Sequence, residues 1–200
     1  MIDLTTASYF MTYDIFKNKE KVLKLIIRET KDNDLADICT IHSKAFGYEK
    51  EAHLTEALLA DSSAKPILSL IAFVDNRPVG HILFTSVSVA THQCTCMLLA
   101  PLAVLPELQS QRIGGKLICT GLEMLAARDV SMVFVLGHPT YYPKYGFIPA
   151  SPYGLAAPYP IPEEYSEAWM VQALQDYQLG QDAGIVSVAD ELMKPEHWRE

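Results

Sequence analysis

The 200-residue sequence has no apolar run approaching the length needed to span a bilayer, about 20 residues. Its N-terminus lacks the charged-then-apolar order of a secretion signal. Both absences point to the cytoplasm. Cysteine is sparse: Cys39, Cys94, Cys96 and Cys119 all fall in apolar segments. Cys94 and Cys96 form a C-x-C, too close for a typical zinc knuckle, and no matching Cys or His pair follows. These thiols read as reduced core residues, and no metal is expected. Positive charge is short, with 16 Lys and Arg against 24 Asp and Glu, a formal net charge of −8. That balance argues against nucleic acid and against an anionic membrane surface as partners. Gly-x-Ser-x-Gly is absent, which disfavours a serine nucleophile. Gly-Lys-Ser/Thr is absent too, which disfavours a mononucleotide-binding loop.

What is present is ordinary for a globular protein: half the residues are hydrophobic and a fifth are charged. The length suits one domain with a substantial core. Its organising stretch runs from Leu102 to Ala127, reading LAVLPELQSQRIGGKLICTGLEMLAA. An apolar strand from Met97 to Val104 ends in a polar turn, and the turn opens into a helix beginning Arg112-Ile113-Gly114-Gly115. The first N–H groups of a helix have no intrahelical acceptor, and the positive end of the helix dipole lies behind them. Small residues let an anion approach the backbone closely, so a pyrophosphate fits such a turn.

On either side the pattern is regular. Residues 1–22 carry scattered aromatics (Tyr9, Phe10, Tyr13, Phe16) and then a basic run, and fit either an extra helix or a mobile arm. Leu25 to Arg28 reads as a short strand, and Asp34 as the N-cap of a helix with Leu35, Ile38, Ile41 and Phe46 on its apolar face. A second helix carries Leu54, Ala57 and Leu58. His42 and His53 on these helices read as surface or packing residues. Leu68–Val74 and Val79–Val89 form a hairpin around Asp75-Asn76-Arg77-Pro78. Then come the strand Cys96–Val104, the helix Ile113–Ala127 with Ile113, Leu117, Ile118, Leu122 and Leu125 facing a sheet, and a buried strand Val130–Leu136.

The run Gln109-Ser110-Gln111-Arg112-Ile113-Gly114 resembles the acetyl-CoA-binding motif Q/R-x-x-G-x-G/A of the GNAT superfamily of N-acetyltransferases. Arg112 departs from it, standing where the family usually has its first glycine. The substitution removes no N–H, and helix-region backbone angles are open to Arg. The order strand–helix–helix–strand–strand–strand–helix–strand is that of the same family. The resemblance implies an α/β protein of the GNAT fold, with a central mixed, mostly antiparallel, splayed β-sheet flanked by helices. Residues 1–23 would be an N-terminal extension and 24–200 the acetyltransferase domain. It also implies acetyl-CoA as cosubstrate, its phosphates on Gln109, Ser110, Gln111, Arg112, Ile113, Gly114 and Gly115. The backbone of Leu102, Ala103 and Val104 would pair with the pantetheine arm as an added strand would.

A second segment, Gly137 to Phe147, GHPTYYPKYGF, resembles the GNAT stretch with a tyrosine four residues before Gly-Phe; here that tyrosine is Tyr142. Together with Ala100 to Val104, the hydrophobic run Trp169 to Leu174 and a late strand at Gly184 to Val188, it resembles the narrower YhbS-like group of bacterial N-acetyltransferases over roughly residues 25–190. His138 replaces that group's usual acid after the glycine. When an amine attacks a thioester, a thiolate leaves. A phenol of pKa ~10 beside a thiol of ~8.5 is protonated at neutral pH and can donate to it. The alternative for Tyr142 is plain aromatic packing, as for Tyr141 and Tyr145. The oxyanion would meet a backbone N–H near Val104. His138 and His81 are the candidate bases, a satisfied core histidine being the alternative for each, and no base is assigned; Glu107 reads as a solvated loop residue. The expected reaction is direct acetyl transfer from acetyl-CoA to a primary amine of a small molecule or protein. Residues 49–65 and 151–167 would shape the acceptor pocket. The rival reading is an acyl-CoA sensor without turnover. A monomer and a homodimer both fit.

Overall fold

The computed structural model describes residues 10–18, 21–89, 94–181 and 183–198, with side chains left aside at Phe10, 14–18 and 21–23. Tyr9 and the Phe16 ring therefore lie outside what is described. The chain opens with a strand pair, β1 (Phe10–Asn18) and β2 (Lys21–Glu29). Residues 10–18 are thus a strand and not the helix entertained for this segment, and β2 starts well before Leu25. The aromatics and β-branched residues of the segment favour an extended chain, and β2 supplies a full antiparallel ladder from Phe10↔Arg28 to Asn18↔Lys21.

Helices α1 (Leu35–Phe46) and α2 (Lys50–Ala60) follow, then β3 (Leu68–Val74) and β4 (Arg77–Val89). Asp34 begins α1 as expected, but its carboxylate does not cap it. It accepts two hydrogen bonds from the Arg28 guanidinium, at 2.6 and 2.8 Å, and one from the Lys31 N–H at 2.7 Å. This fork holds the carboxyl below its usual range, the Arg28 hydrogen bond being the largest cause. The β3–β4 turn is tighter than the four-residue loop expected. Asp75 and Asn76 both take positive φ, 49° and 64°, the two-residue geometry that matches strand twist, so Arg77 already pairs with Val74.

Next come β5 (Cys96–Val104), α3 (Ile113–Ala126) and β6 (Met132–Leu136). From β2 to β6 the element order is the expected one. The remainder is four strands, β7 (Ile148–Pro149), β8 (Leu155–Ala156), β9 (Trp169–Ala173) and β10 (Gly184–Ser187), among short 3-10 turns. The sheet runs β1-β2-β3-β4-β5-β6-β9-β7, with β10 joining β4 to β8. Along that path every pair is antiparallel except β5 with β6.

Alternate residues of β4 serve the two faces, as the period of two requires. Phe84 packs on Gly121 of α3, and Gly80 meets Leu117 and Ile113 of the same helix. His81, between them, turns to the other face and meets His42 of α1. Both faces are therefore covered, which explains why Val79 to Thr85 are all buried. No helix among the described residues is long and apolar enough to cross a membrane.

Candidate active site

The turn after β5 is built by backbone geometry. Pro106–Leu108 makes a 3-10 turn, and Ser110 and Arg112 then take left-handed backbone angles, φ 60° and 65°. Arg112 is the residue before α3, and its ψ of 8° puts it fully in the left-handed region, not the helical one expected. This is the conformation glycine adopts without steric cost, which accounts for a glycine at this point in the family motif. The first intrahelical bond runs from the Lys116 N–H to the Arg112 carbonyl at 3.0 Å. The N–H groups of Arg112, Ile113, Gly114 and Gly115 are left without intrahelical acceptors. The two glutamines brace the loop: Gln109 Nε2 donates to the Val104 carbonyl at 3.1 Å and Gln111 Nε2 to the Glu107 carbonyl at 3.3 Å. Glu107 itself is a solvated residue, ion-paired to exposed Arg77.

The central strands diverge beside this turn. β5 pairs with β6 only from Cys96↔Met132 to Leu99↔Val135, yet β5 continues to Val104. A bulge opposite Leu83 marks the point of divergence. In an antiparallel ladder, bonding and non-bonding pairs alternate. Leu105 N–H donates to the Val79 carbonyl at 2.9 Å, so Ala103 exchanges its bonds with His81. Leu102 and Val104 point their backbone groups the other way, into the gap. Ala103 is buried, 3% exposed, and of the residues expected to hold the cosubstrate it and Gln111 alone do not line the cleft.

That cleft has a volume of about 1600 Å³ and runs from the α3 turn through the splay to a wall made by Phe46, Glu51, Ile161, Tyr165 and Trp198. Tyr142 lines it. Its ring packs on Gly137, where a Cβ would collide with it, and stands edge-on to Phe147 at 5.7 Å between centroids. Burial, with a smaller contribution from Tyr145, pushes its hydroxyl well above the ordinary phenol pKa, so it stays protonated. Tyr141 and Tyr145 have a task that the sequence did not disclose. A Cβ on Gly114 would sit 2.8 Å from the Tyr141 hydroxyl, and one on Gly115 would strike the Tyr145 ring. The two glycines thus admit tyrosines as well as a bare helix end. Only the nonlocal fit reveals this.

Positive charge gathers at the same end. Arg112, Lys116 and Lys144 line the cleft there. The Lys116 ammonium lies 4.1 Å from the centre of the Tyr13 ring, whose hydroxyl is 3.1 Å from Thr120 Oγ1, so β1 helps to hold this wall. His81 is 0% exposed, with Nδ1 2.9 Å from His42 Nε2 and Nε2 2.9 Å from Ser69 Oγ, a satisfied core histidine away from the cleft. Exposed His138 does line the cleft, its Nδ1 3.1 Å from Thr140 Oγ1. Among the described residues no group of three His, Cys, Asp or Glu is placed to hold a metal.

The model of the acetyltransferase (GNAT) domain family matches residues 26–150, well over half of the chain. The chain belongs to the GNAT acetyltransferases. This acetyltransferase is 49% identical over 148 residues to the uncharacterized N-acetyltransferase YjhQ of Escherichia coli, covering 72% of the chain and 82% of that relative. Among solved structures it resembles the Escherichia coli GNAT protein YhbS in complex with CoA, with a TM-score of 0.79 and 26% identity over 89% of this chain and 97% of that one. A GNAT acetyltransferase from Brucella melitensis in complex with acetyl-CoA gives a TM-score of 0.67 at 26% identity, over 84% and 97% of the two chains. Both of these solved relatives carry CoA or acetyl-CoA.

Proposed function

We propose that the protein transfers the acetyl group of acetyl-CoA directly to a primary amine of a small molecule or protein, with Tyr142 as the proton donor to the departing sulfur. The observation that carries this reading is the unpaired edge of β5. It leads from the splay to the α3 turn and offers an extended molecule the N–H and carbonyl of Leu102 and the N–H of Val104, the Val104 carbonyl being held by Gln109.

On this reading the N–H groups of residues 112–115 hold the diphosphate, with Arg112 and Lys116 supplying countercharge. Leu102 and Val104 pair with the amides of the pantetheine arm. The thioester brings an activated acyl carbon and a sulfur that can leave. Of the two gap-facing N–H groups, that of Leu102 is the farther from the diphosphate turn and donates to the acyl oxygen as negative charge builds on it, while Val104 N–H serves the arm. The acceptor nitrogen must arrive neutral. Its lone pair forms the C–N bond, the C–S bond breaks, and Tyr142 gives its proton to the sulfur while the nitrogen sheds one. Holding amine and thioester together supplies much of the acceleration.

The test is Tyr142→Phe. Loss of a positioned acid lowers kcat by about a hundredfold or more, with the KM for acetyl-CoA little changed. Acetylation at the wild-type rate across pH refutes the assignment. A panel of amines addresses the sensor reading: tight CoA binding with no thiol released from acetyl-CoA by any amine would favour a module without turnover.

A further inference from the structure

The Cys94-Thr95-Cys96 segment lies outside the cleft, at the opposite end of β5 from the turn that follows Val104. Cys96 is the core thiol that the sequence suggests, 1% exposed, but Cys94 is only partly buried. Side chains two apart on an extended chain share a face, and the chain bends at Cys94, so the two sulfurs meet at 3.4 Å. A disulfide would bring them to about 2.0 Å. Cys96 is fixed where it stands. It pairs with Val87 of β4 and Met132 of β6, and the adjoining Thr95 carbonyl accepts the Ser131 N–H at 2.8 Å. The closing movement therefore falls to Cys94. Cys39 and Cys119 stand singly on α1 and α3.

Exposure decides the order of events. The thiolate is the attacking species and water stabilises it, so the sulfur that reaches solvent acts first. Burial, and then the hydrogen bond with Cys94, pushes the Cys96 thiol well above its usual range and keeps it protonated until a reactive sulfur lies beside it.

We propose that Cys94 and Cys96 form a redox-active dithiol, which a low-molecular-weight disulfide such as oxidised glutathione converts to an internal disulfide. The Cys94 thiolate attacks one glutathione sulfur and forms a mixed disulfide. The other glutathione leaves as a thiolate and takes up the proton that Cys94 shed to solvent. The Cys96 sulfur then attacks Cys94 Sγ. The bond from Cys94 to glutathione breaks, and the departing thiolate takes the Cys96 proton. Two electrons pass from the dithiol to the oxidant, which ends as two thiols. The product is partly open to solvent, and exposed disulfides are the readily reduced ones, so the reaction reverses.

The test is mass spectrometry of the intact protein, with peptide mapping, after incubation with excess oxidised glutathione under native conditions and an acid quench. The expected product has lost two hydrogens, links Cys94 to Cys96, and returns to the dithiol in dithiothreitol. In Cys94→Ser with native circular dichroism, Cys96 should stay unmodified, because its sulfur is sealed from the oxidant. A lasting glutathione adduct on Cys94, no link between the two cysteines, a link that survives excess dithiothreitol, or a Cys96 adduct in the folded variant overturns the inference. The wild-type result stands even if the variant folds poorly. Acetyl transfer has no part in the readout, so the two claims fail separately.

Discussion

Nε2 of His42 lies 2.9 Å from Nδ1 of His81, and both rings are fully buried. The contact joins α1 to β4, and burial keeps both imidazoles neutral, lowering His42 to about 4 and His81 well below the usual 6.5. The unfolded chain takes up protons near 6.5, while the folded chain resists until lower pH. Stability is therefore complete above pH 6.5 and falls as the pH drops from 6.5 toward 4. The slope is at most about 1.4 kcal/mol per pH unit for each histidine. Urea unfolding at pH 7.5, 6.0 and 5.0 measures this, and an unchanged midpoint over that range would contradict it.

Arg112 stores backbone strain at φ 65°, and the strain has a measurable rank order. A β-branched side chain tolerates this region worst and glycine best. Arg112→Val should lower the unfolding free energy by about 1 to 2 kcal/mol, and Arg112→Gly should leave it equal or higher. Chemical denaturation of the three proteins decides it. A valine variant as stable as the parent would mean that the turn is not left-handed.

Gly115 and Tyr145 should behave as one unit. A methyl group at 115 strikes the Tyr145 ring, and overpacking of this kind costs about 1 to 3 kcal/mol. Gly115→Ala alone should destabilise the protein and weaken CoA binding. Combined with Tyr145→Ala, the added loss should be much smaller than the sum of the single changes. Strict additivity in the double-mutant cycle would place the two residues out of contact.

The Arg28–Asp34 fork is the best-satisfied ion pair among the described residues, Asp34 being only 4% exposed. Asp34→Asn leaves the guanidinium without its countercharge and should cost about 1 to 3 kcal/mol. Because the fork lies outside the cleft, kcat at a temperature well below the melting midpoint should not change. A drop in kcat at unchanged fold would tie this corner to the site.

Local signals carried most of the architecture. Alternating and continuous apolar runs identified β3 to β6, Asp75-Asn76-Arg77-Pro78 marked the hairpin, and the polar turn before Gly114-Gly115 marked the start of α3. What stayed hidden was set by distant partners. Arg112 bears no mark of its left-handed backbone, because that conformation is imposed by the loop that closes on it. Asp34 looks like a helix cap until Arg28 is brought beside it. The fit of Tyr141 and Tyr145 to two glycines 25 or more positions upstream has no periodicity to betray it.

The early parting of β5 from β6 has a bearing on solubility. Sheet margins invite other polypeptides, and proteins usually blunt them with charge or kinks. Here the open seam sits mid-sheet between β5 and β6 and not at an outer margin, and a guest that pairs with it would join the two halves of the sheet.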